Sequence, residues 1–269
     1  MDEYSKELQE EVRDYWAEVY TQVGLTDIEP RVQLRLKERE EESKRIANLE
    51  YMLNFCFGNG QKHLIVGTGT GGLAVELYKK GCMVYGVEPQ EKANRIVRLI
   101  AQEFGMPLEN FTTDTAELLP FKNNTFDFIH CFTVIEHVEN VKKTLLQMIR
   151  VLKPNGYIYI NTHDYRFPYE RHYKIVFPAF LPKVFGYLYL LLKGKPIKFL
   201  RHINYVTEVS INRILYECKE PISWQRIYER YSYLDWKGFH PRYSLWRFFT
   251  LRFNIPMNQE ILIRKKGVS

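Results

Sequence analysis

Cysteine is scarce in this chain: four residues among 269, Cys56, Cys82, Cys131 and Cys218, lie far apart with no C-x-x-C pair. That spacing argues against a disulfide framework and a cysteine-ligated zinc, and it leads us to expect a reducing cytosol. Long apolar runs are missing too; none approaches the ~18 uninterrupted residues of a membrane span, so no transmembrane helix is expected. The first residues, Met1-Asp2-Glu3-Tyr4-Ser5-Lys6, are charged and lack the apolar centre of a signal peptide, so none is expected. Neither sign of charge dominates, with 38 Lys and Arg against 32 Asp and Glu, a net of +6.

What is present begins with glycine. Gly67-Thr68-Gly69-Thr70-Gly71-Gly72 follows the apolar run His63-Leu64-Ile65-Val66 and precedes Leu73-Ala74-Val75-Glu76-Leu77-Tyr78, which has helical spacing. A strand that enters a glycine turn and opens a helix brings backbone N–H groups and the helix N-terminus close to a ligand. The glycines satisfy both G-x-G-x-x-G and the shorter G-x-G-x-G. A second strand, Met83-Val84-Tyr85-Gly86-Val87, ends in Glu88, where a carboxylate can accept from ribose hydroxyls. An adenine dinucleotide and S-adenosylmethionine fit these residues equally.

Further residues separate the two. Asp114 closes a third strand and opens Asp114-Thr115-Ala116-Glu117-Leu118-Leu119-Pro120-Phe121. Phe126-Asp127-Phe128-Ile129-His130-Cys131-Phe132 reads as a fourth strand, followed by Ile135-Glu136-His137-Val138 and then Val151-Leu152-Lys153-Pro154-Asn155-Gly156-Tyr157. In this order the motifs resemble class I S-adenosylmethionine-dependent methyltransferases, especially the quinone-biosynthesis branch, over about residues 60 to 165. The resemblance implies S-adenosylmethionine as cofactor and S-adenosylhomocysteine as product. It places Gly67, Thr68, Gly69 and Gly71 under the methionine portion, Glu88 on the ribose and Asp114 at the adenine amine. Pro89 and Thr115 should flank the adenine, and Phe132 should lie near the methyl end.

After residue 60, helical and strand patterns alternate as in a parallel sheet covered on both faces. The expected fold is α/β: a Rossmann-like, seven-stranded, mostly parallel sheet with an N-terminal helical extension and a lid inserted after strand five. Strands are expected near 62–67, 83–88, 110–113, 126–132, 156–162, 222–230 and 258–265, the last antiparallel by the family pattern. The parts are a helical extension (1–59), a cofactor-binding core (60–165), an acceptor lid (166–206) and the rest of the catalytic domain (207–269). Two helices are expected in the extension, from Glu3 to about Val23 and from Pro30 to about Phe55, with Gly58 as the stop. They read either as a cover over the cofactor cleft or as a solvated layer packed on the sheet.

The insertion carries Tyr169-Glu170-Arg171-His172-Tyr173-Lys174 and the apolar stretch Phe177 to Leu192. A segment after strand five overhangs the methyl group, because ligands in this fold lie beyond the carboxyl ends of the strands. Methyl transfer from a sulfonium releases a neutral thioether, so positioning carries most of the catalysis, while an acceptor hydroxyl must still lose a proton. His172, flanked by Glu170, is the first candidate base, and His163 is the second. No metal is expected: some relatives bind one through E-x-x-E-H, but Thr133 stands where the first glutamate would be.

Acceptor identity is the least determined reading. Basic and aromatic residues interleave towards the C-terminus, as in Tyr228 to Trp236 and Tyr243 to Phe249, which suits sugars, RNA or an anionic membrane. A small-molecule or glycan hydroxyl is the leading acceptor, on a lipid-linked or surface polysaccharide in the looser resemblance to glycan-associated methyltransferases. RNA methylation and a non-catalytic cofactor-binding role are the alternatives. The apolar-then-basic segment 177–198 is expected to allow peripheral membrane contact, at the inner face of a cytoplasmic membrane.

Overall fold

A computed structural model describes residues 4–177, 181–227, 252, 255 and 258–267. Helices α1 (Lys6–Gln22), α2 (Ile28–Leu36) and α3 (Glu38–Leu53) come first. The sheet region then runs β1 (Lys62–Val66), α4 (Gly72–Lys79), β2 (Met83–Val87), α5 (Glu91–Phe104), β3 (Phe111–Thr112), β4 (Phe126–Phe132), α6 (Val141–Val151) and β5 (Leu152–His163). The insertion folds as a small hairpin, β6 (Tyr169–Glu170) and β7 (Ile175–Val176), followed by α7 (Lys183–Leu192) and α8 (Lys198–Arg201). The chain rejoins the sheet through α9 (Glu208–Tyr216), β8 (Ile222–Ile227) and β9 (Asn258–Lys265).

The seven-stranded sheet has the order β3-β2-β1-β4-β5-β9-β8, parallel except where β9 pairs antiparallel with both neighbours. Strand order reverses between β1 and β4. At such a switch point the loops leaving adjacent strands diverge and open a crevice beyond their carboxyl ends. Central strands buried on both faces need continuous apolar runs, and β1 and β4 supply them: Leu64, Val66, Phe126, Phe128, Ile129 and Cys131 are buried. α5 buries Ile96, Val97 and Ile100 along one stripe and ends at Gly105 in the left-handed conformation. Thr207 caps α9, accepting from the Ser210 N–H in a reciprocal capping box.

Three local expectations change. The single helix after Pro30 is two, broken at Lys37, because α2 packs on α1 whereas α3 packs on α4, and one straight rod cannot follow both. Its stop is Asn54 rather than Gly58; Asn54 adopts φ 47° and ψ 47°, a left-handed conformation asparagine tolerates. Strand five begins at Leu152, since a register shift lets Phe126 pair with Leu152 and Phe128 with Tyr157, leaving Lys153–Gly156 as a bulge in the ladder. Residues 228–230 of the expected sixth strand, Pro178–Phe180 of the lid and the basic-aromatic segments within 228–249 lie outside the described residues.

Candidate active site

The glycine turn joins β1 to α4 at the crevice between β1 and β4. Gly67, Gly69 and Gly71 all have positive φ, at 72°, 52° and 77°. At Gly67 a Cβ would sit 2.3 Å from Val134 Cγ2, so glycine lets the segment after β4 press directly against the turn. At Gly69 a Cβ would meet nothing within 4 Å, so the turn faces open space on the ligand side. Thr68 points a buried Oγ1 with no hydrogen-bond partner among the described residues. The turn therefore offers open volume and an unsatisfied polar atom to a ligand.

The two acids close the other side. Glu88 is buried just past β2; its Oε2 accepts from the Gly69 N–H at 3.0 Å and its Oε1 from the Gln90 N–H at 3.2 Å. Burial pushes its carboxyl above the usual range, against the pull of those two N–H groups. The Glu88 N–H bonds to Thr112 O across β2 and β3, and Asp114, half-buried, follows two residues after Thr112. Pro89 and Thr115 follow these acids in sequence. This cradle fits the adenosyl half of S-adenosylmethionine: two carboxylates can take ribose hydroxyls and an exocyclic amine, which donate.

Phe132 ends β4, half-buried, with the Arg45 guanidinium 4.4 Å above its ring and Tyr159 tilted against it at 5.1 Å. Arg45 belongs to α3, whose Ile46 and Leu49 are buried in the main core. From α1, the Tyr15 hydroxyl donates to Gln90 Oε1 at 2.8 Å, and Arg95 and Lys92 of α5 pair with Glu11 and Glu18. The N-terminal helices thus both pack on the sheet layer and reach the crevice rim.

Beyond β4 the chain turns sharply. Thr133 has φ 51°, a strained conformation for a β-branched residue, and its N–H bonds to Asn161 O at 2.7 Å. That turn delivers Glu136 and His137 to the lid. Glu136 is fully buried, its carboxyl raised by burial, and it accepts from Thr162 Oγ1 at 2.8 Å. From the lid, Asn204 pins this segment through its N–H to Glu136 O and its Nδ2 to Val138 O.

The hairpin brings His172 to the same place. Its ring meets His137 edge-on at 4.9 Å, with Phe199 of α8 4.9 Å away. His172 Nδ1 lies 2.6 Å from Oε1 of Glu170, whose side chain is wholly buried and also accepts from the Tyr173 N–H at 2.7 Å and the Tyr165 hydroxyl at 3.3 Å. Burial alone would raise the Glu170 carboxyl; the His172 contacts and the Tyr173 N–H outweigh it and hold it below its ordinary value. A buried carboxylate on Nδ1 fixes the tautomer and leaves Nε2 as the acceptor, the arrangement of an oriented general base. His137 is exposed, and the packing of its neighbours together with the facing His172 lowers its proton affinity below that of a free imidazole.

His163 ends β5 against the edge of the Tyr165 ring at 4.8 Å. It is buried with neither nitrogen bonded among the described residues, and burial pushes it down to about 4. Glu136, His137 and His172 place three ligand atoms within 4.8 Å of one another, a set able to hold a divalent ion. The sequence pointed to Glu136-His137 only as an incomplete metal motif, and it did not point to Thr162, Tyr165 or Arg45. Ile135-Glu136-His137-Val138 was visible as a motif, but its meeting with the hairpin comes from tertiary folding.

Strand order and crevice together define the class I methyltransferase fold. A family described as a methyltransferase domain matches residues 31–218, and the chain belongs to it. Among curated proteins it is 29% identical to a ubiquinone biosynthesis O-methyltransferase of Azoarcus sp. over 143 residues, 53% of this chain and 57% of the relative. The same-named enzyme of Aliivibrio fischeri is 33% identical over 116 residues, 42% of this chain and 49% of that one. The chain thus spans about half the length of these relatives. Among solved structures, YcgJ of Bacillus subtilis shares the fold at a TM-score of 0.53 and 18% identity, covering 85% of this chain and all of that one. A Haemonchus contortus phosphoethanolamine N-methyltransferase, solved with phosphomonomethylethanolamine and S-adenosylhomocysteine, matches at 0.52 and 17%, covering 85% and 53%.

Proposed function

We propose that the chain transfers the methyl group of S-adenosylmethionine to a hydroxyl of a small molecule or sugar, with His172 as general base. The observation that carries this is the wholly buried Glu170 carboxylate 2.6 Å from His172 Nδ1. The cofactor supplies an electrophilic methyl group. Gly67, Thr68, Gly69 and Gly71 position it, and Glu88 and Asp114 hold its adenosyl end. His172 Nε2 takes the hydroxyl proton as the acceptor oxygen becomes a nucleophile, and Glu170 stabilises the resulting imidazolium. That the curated relatives are named as O-methyltransferases supports transfer to oxygen. His163, buried and without a polar partner, is the second candidate and suits orientation of the acceptor better than proton transfer, because protonating it costs desolvation.

Labelled S-adenosylmethionine presented with sugars, quinol-like phenols and RNA side by side identifies the acceptor. His172→Asn should lower turnover with it by ~100-fold or more while S-adenosylhomocysteine affinity is kept. Turnover near wild type in that variant removes His172 as the base. RNA as the sole productive acceptor, with binding that weakens steeply as salt rises, replaces the small-molecule reading.

A second reading follows from the cluster of Glu136, His137 and His172. A divalent ion held there would polarise the acceptor oxygen and take over the activation assigned to free His172. The two readings part on chelation. Full activity after exhaustive chelation leaves the base mechanism, and loss restored by magnesium or zinc favours the ion.

A further inference from the structure

α7 is apolar around its whole circumference, but only one side of it is used. Gly186 and Leu190 are buried against Tyr173, Phe177, Leu200 and Ile203 in a small core of their own. On the other side Val184, Phe185, Leu188, Leu191 and Leu192 are each more than half exposed. Their spacing of three and four residues puts them on one continuous face. Such a face on a water-facing helix is costly unless something covers it.

Charge around the face names the cover. From Arg171 to Thr207 there are seven Lys and Arg and no Asp or Glu. Lys193, Lys198, Arg201 and His202 are exposed beyond the C-terminal end of α7, and Lys183 begins it. An apolar helical face rimmed by cations is the pattern of a helix lying in the headgroup layer of an anionic bilayer. A second copy of this chain would bring an equally cationic rim against the first. Ten residues of helix are about 15 Å long, too short to cross a bilayer and long enough to lie in its surface. Among the described residues no helix is long and apolar enough to span a membrane.

We propose that the exposed face of α7 docks the protein on an anionic membrane surface, with Phe185, Leu188, Leu191 and Leu192 entering the acyl boundary and the cations meeting headgroups. Docking stands apart from the choice of acceptor and from the role of His172. It also sets the lid towards the bilayer: Tyr173, whose N–H holds Glu170, donates its hydroxyl to Pro196 O at 2.7 Å and accepts from the Leu200 N–H at 3.1 Å, beneath α7.

Vesicle flotation tests this with phosphatidylcholine alone and with phosphatidylcholine containing about one third phosphatidylglycerol, alongside light-scattering mass measurements in solution. Wild type should float with the anionic vesicles, less as salt rises. Leu188→Glu with Leu191→Glu, and separately Lys193→Glu with Lys198→Glu, should each lower partitioning by about tenfold or more. Melting temperature should stay unchanged in both. Leu188→Ser with Leu191→Ser serves if the glutamates prevent folding. Absence of flotation by wild type overturns the proposal, as does equal flotation of all variants. A dimer that the leucine substitutions dissociate assigns the face to self-association instead, and a marked drop in melting temperature assigns it to intramolecular packing.

Discussion

Acidification should loosen this protein through its buried neutral histidines. His63 and His130 stack across β1 and β4 with His63 Nδ1 3.0 Å from His130 Nε2, while His63 Nε2 lies 3.2 Å from Gln61 Oε1. Donation from Nε2 to the Gln61 carbonyl leaves His63 Nδ1 as acceptor for the His130 N–H, so neither ring can take a second proton without losing a bond or desolvating a charge. Burial pushes His63 and His163 each down to about 4, and His130 well below its usual value. In the unfolded chain each imidazole protonates near 6.5. The unfolded state therefore binds more protons between about 6.5 and 4, and stability falls as the pH drops through that window. At pH 5.5 the loss is on the order of 1 kcal/mol for each of His63 and His163, a noticeable share of a total of about 5–15 kcal/mol.

Burial of Glu88 and Glu136 works in the opposite sense. Their carboxyls are raised in the folded state, so acidification favours folding through them and offsets part of the loss. A variant isolates the histidine contribution. Urea unfolding at pH 7.5, 6.5 and 5.5 should show the drop in stability between the extremes shrinking by about 1 kcal/mol in His163→Leu relative to wild type. An identical drop in both proteins refutes the assignment of His163 as a buried neutral imidazole.

Two further outcomes follow from the site. Glu170→Gln preserves size but can present an amide N–H to His172 Nδ1, favouring the tautomer with a proton on Nε2; turnover should fall by about 100-fold or more while S-adenosylhomocysteine affinity measured by calorimetry stays within about threefold. Gly67→Ala combines a strained positive φ with a Cβ placed 2.3 Å from Val134 Cγ2, and should lower stability by about 2 kcal/mol or more in a denaturant melt. Unchanged stability there means the turn and the segment after β4 are not pressed together.

The core was legible because its signals are local. β1, the glycine turn and Glu88 lie within 27 residues, and the alternation of β4 with α6 fixes the sheet around them. Boundaries read less well where tertiary packing decides them: the break at Lys37 reflects two different partners for α2 and α3, and Asn54 took the stop expected of Gly58. His172 and Glu170 were readable as neighbours two apart. Their convergence with His137 and Glu136, some 35 residues earlier, was not, because it depends on how the hairpin folds back over the strand ends. Neither periodicity nor composition carries that angle.

The crevice between β1 and β4 is built for S-adenosylmethionine, and calorimetry with S-adenosylhomocysteine is its decisive check. One molecule should bind per chain, and Glu88→Gln, which removes a charged acceptor from the ribose position, should weaken binding by about tenfold to a hundredfold. Binding of NAD in its place, or S-adenosylhomocysteine binding indifferent to Glu88, would mean the crevice serves another ligand.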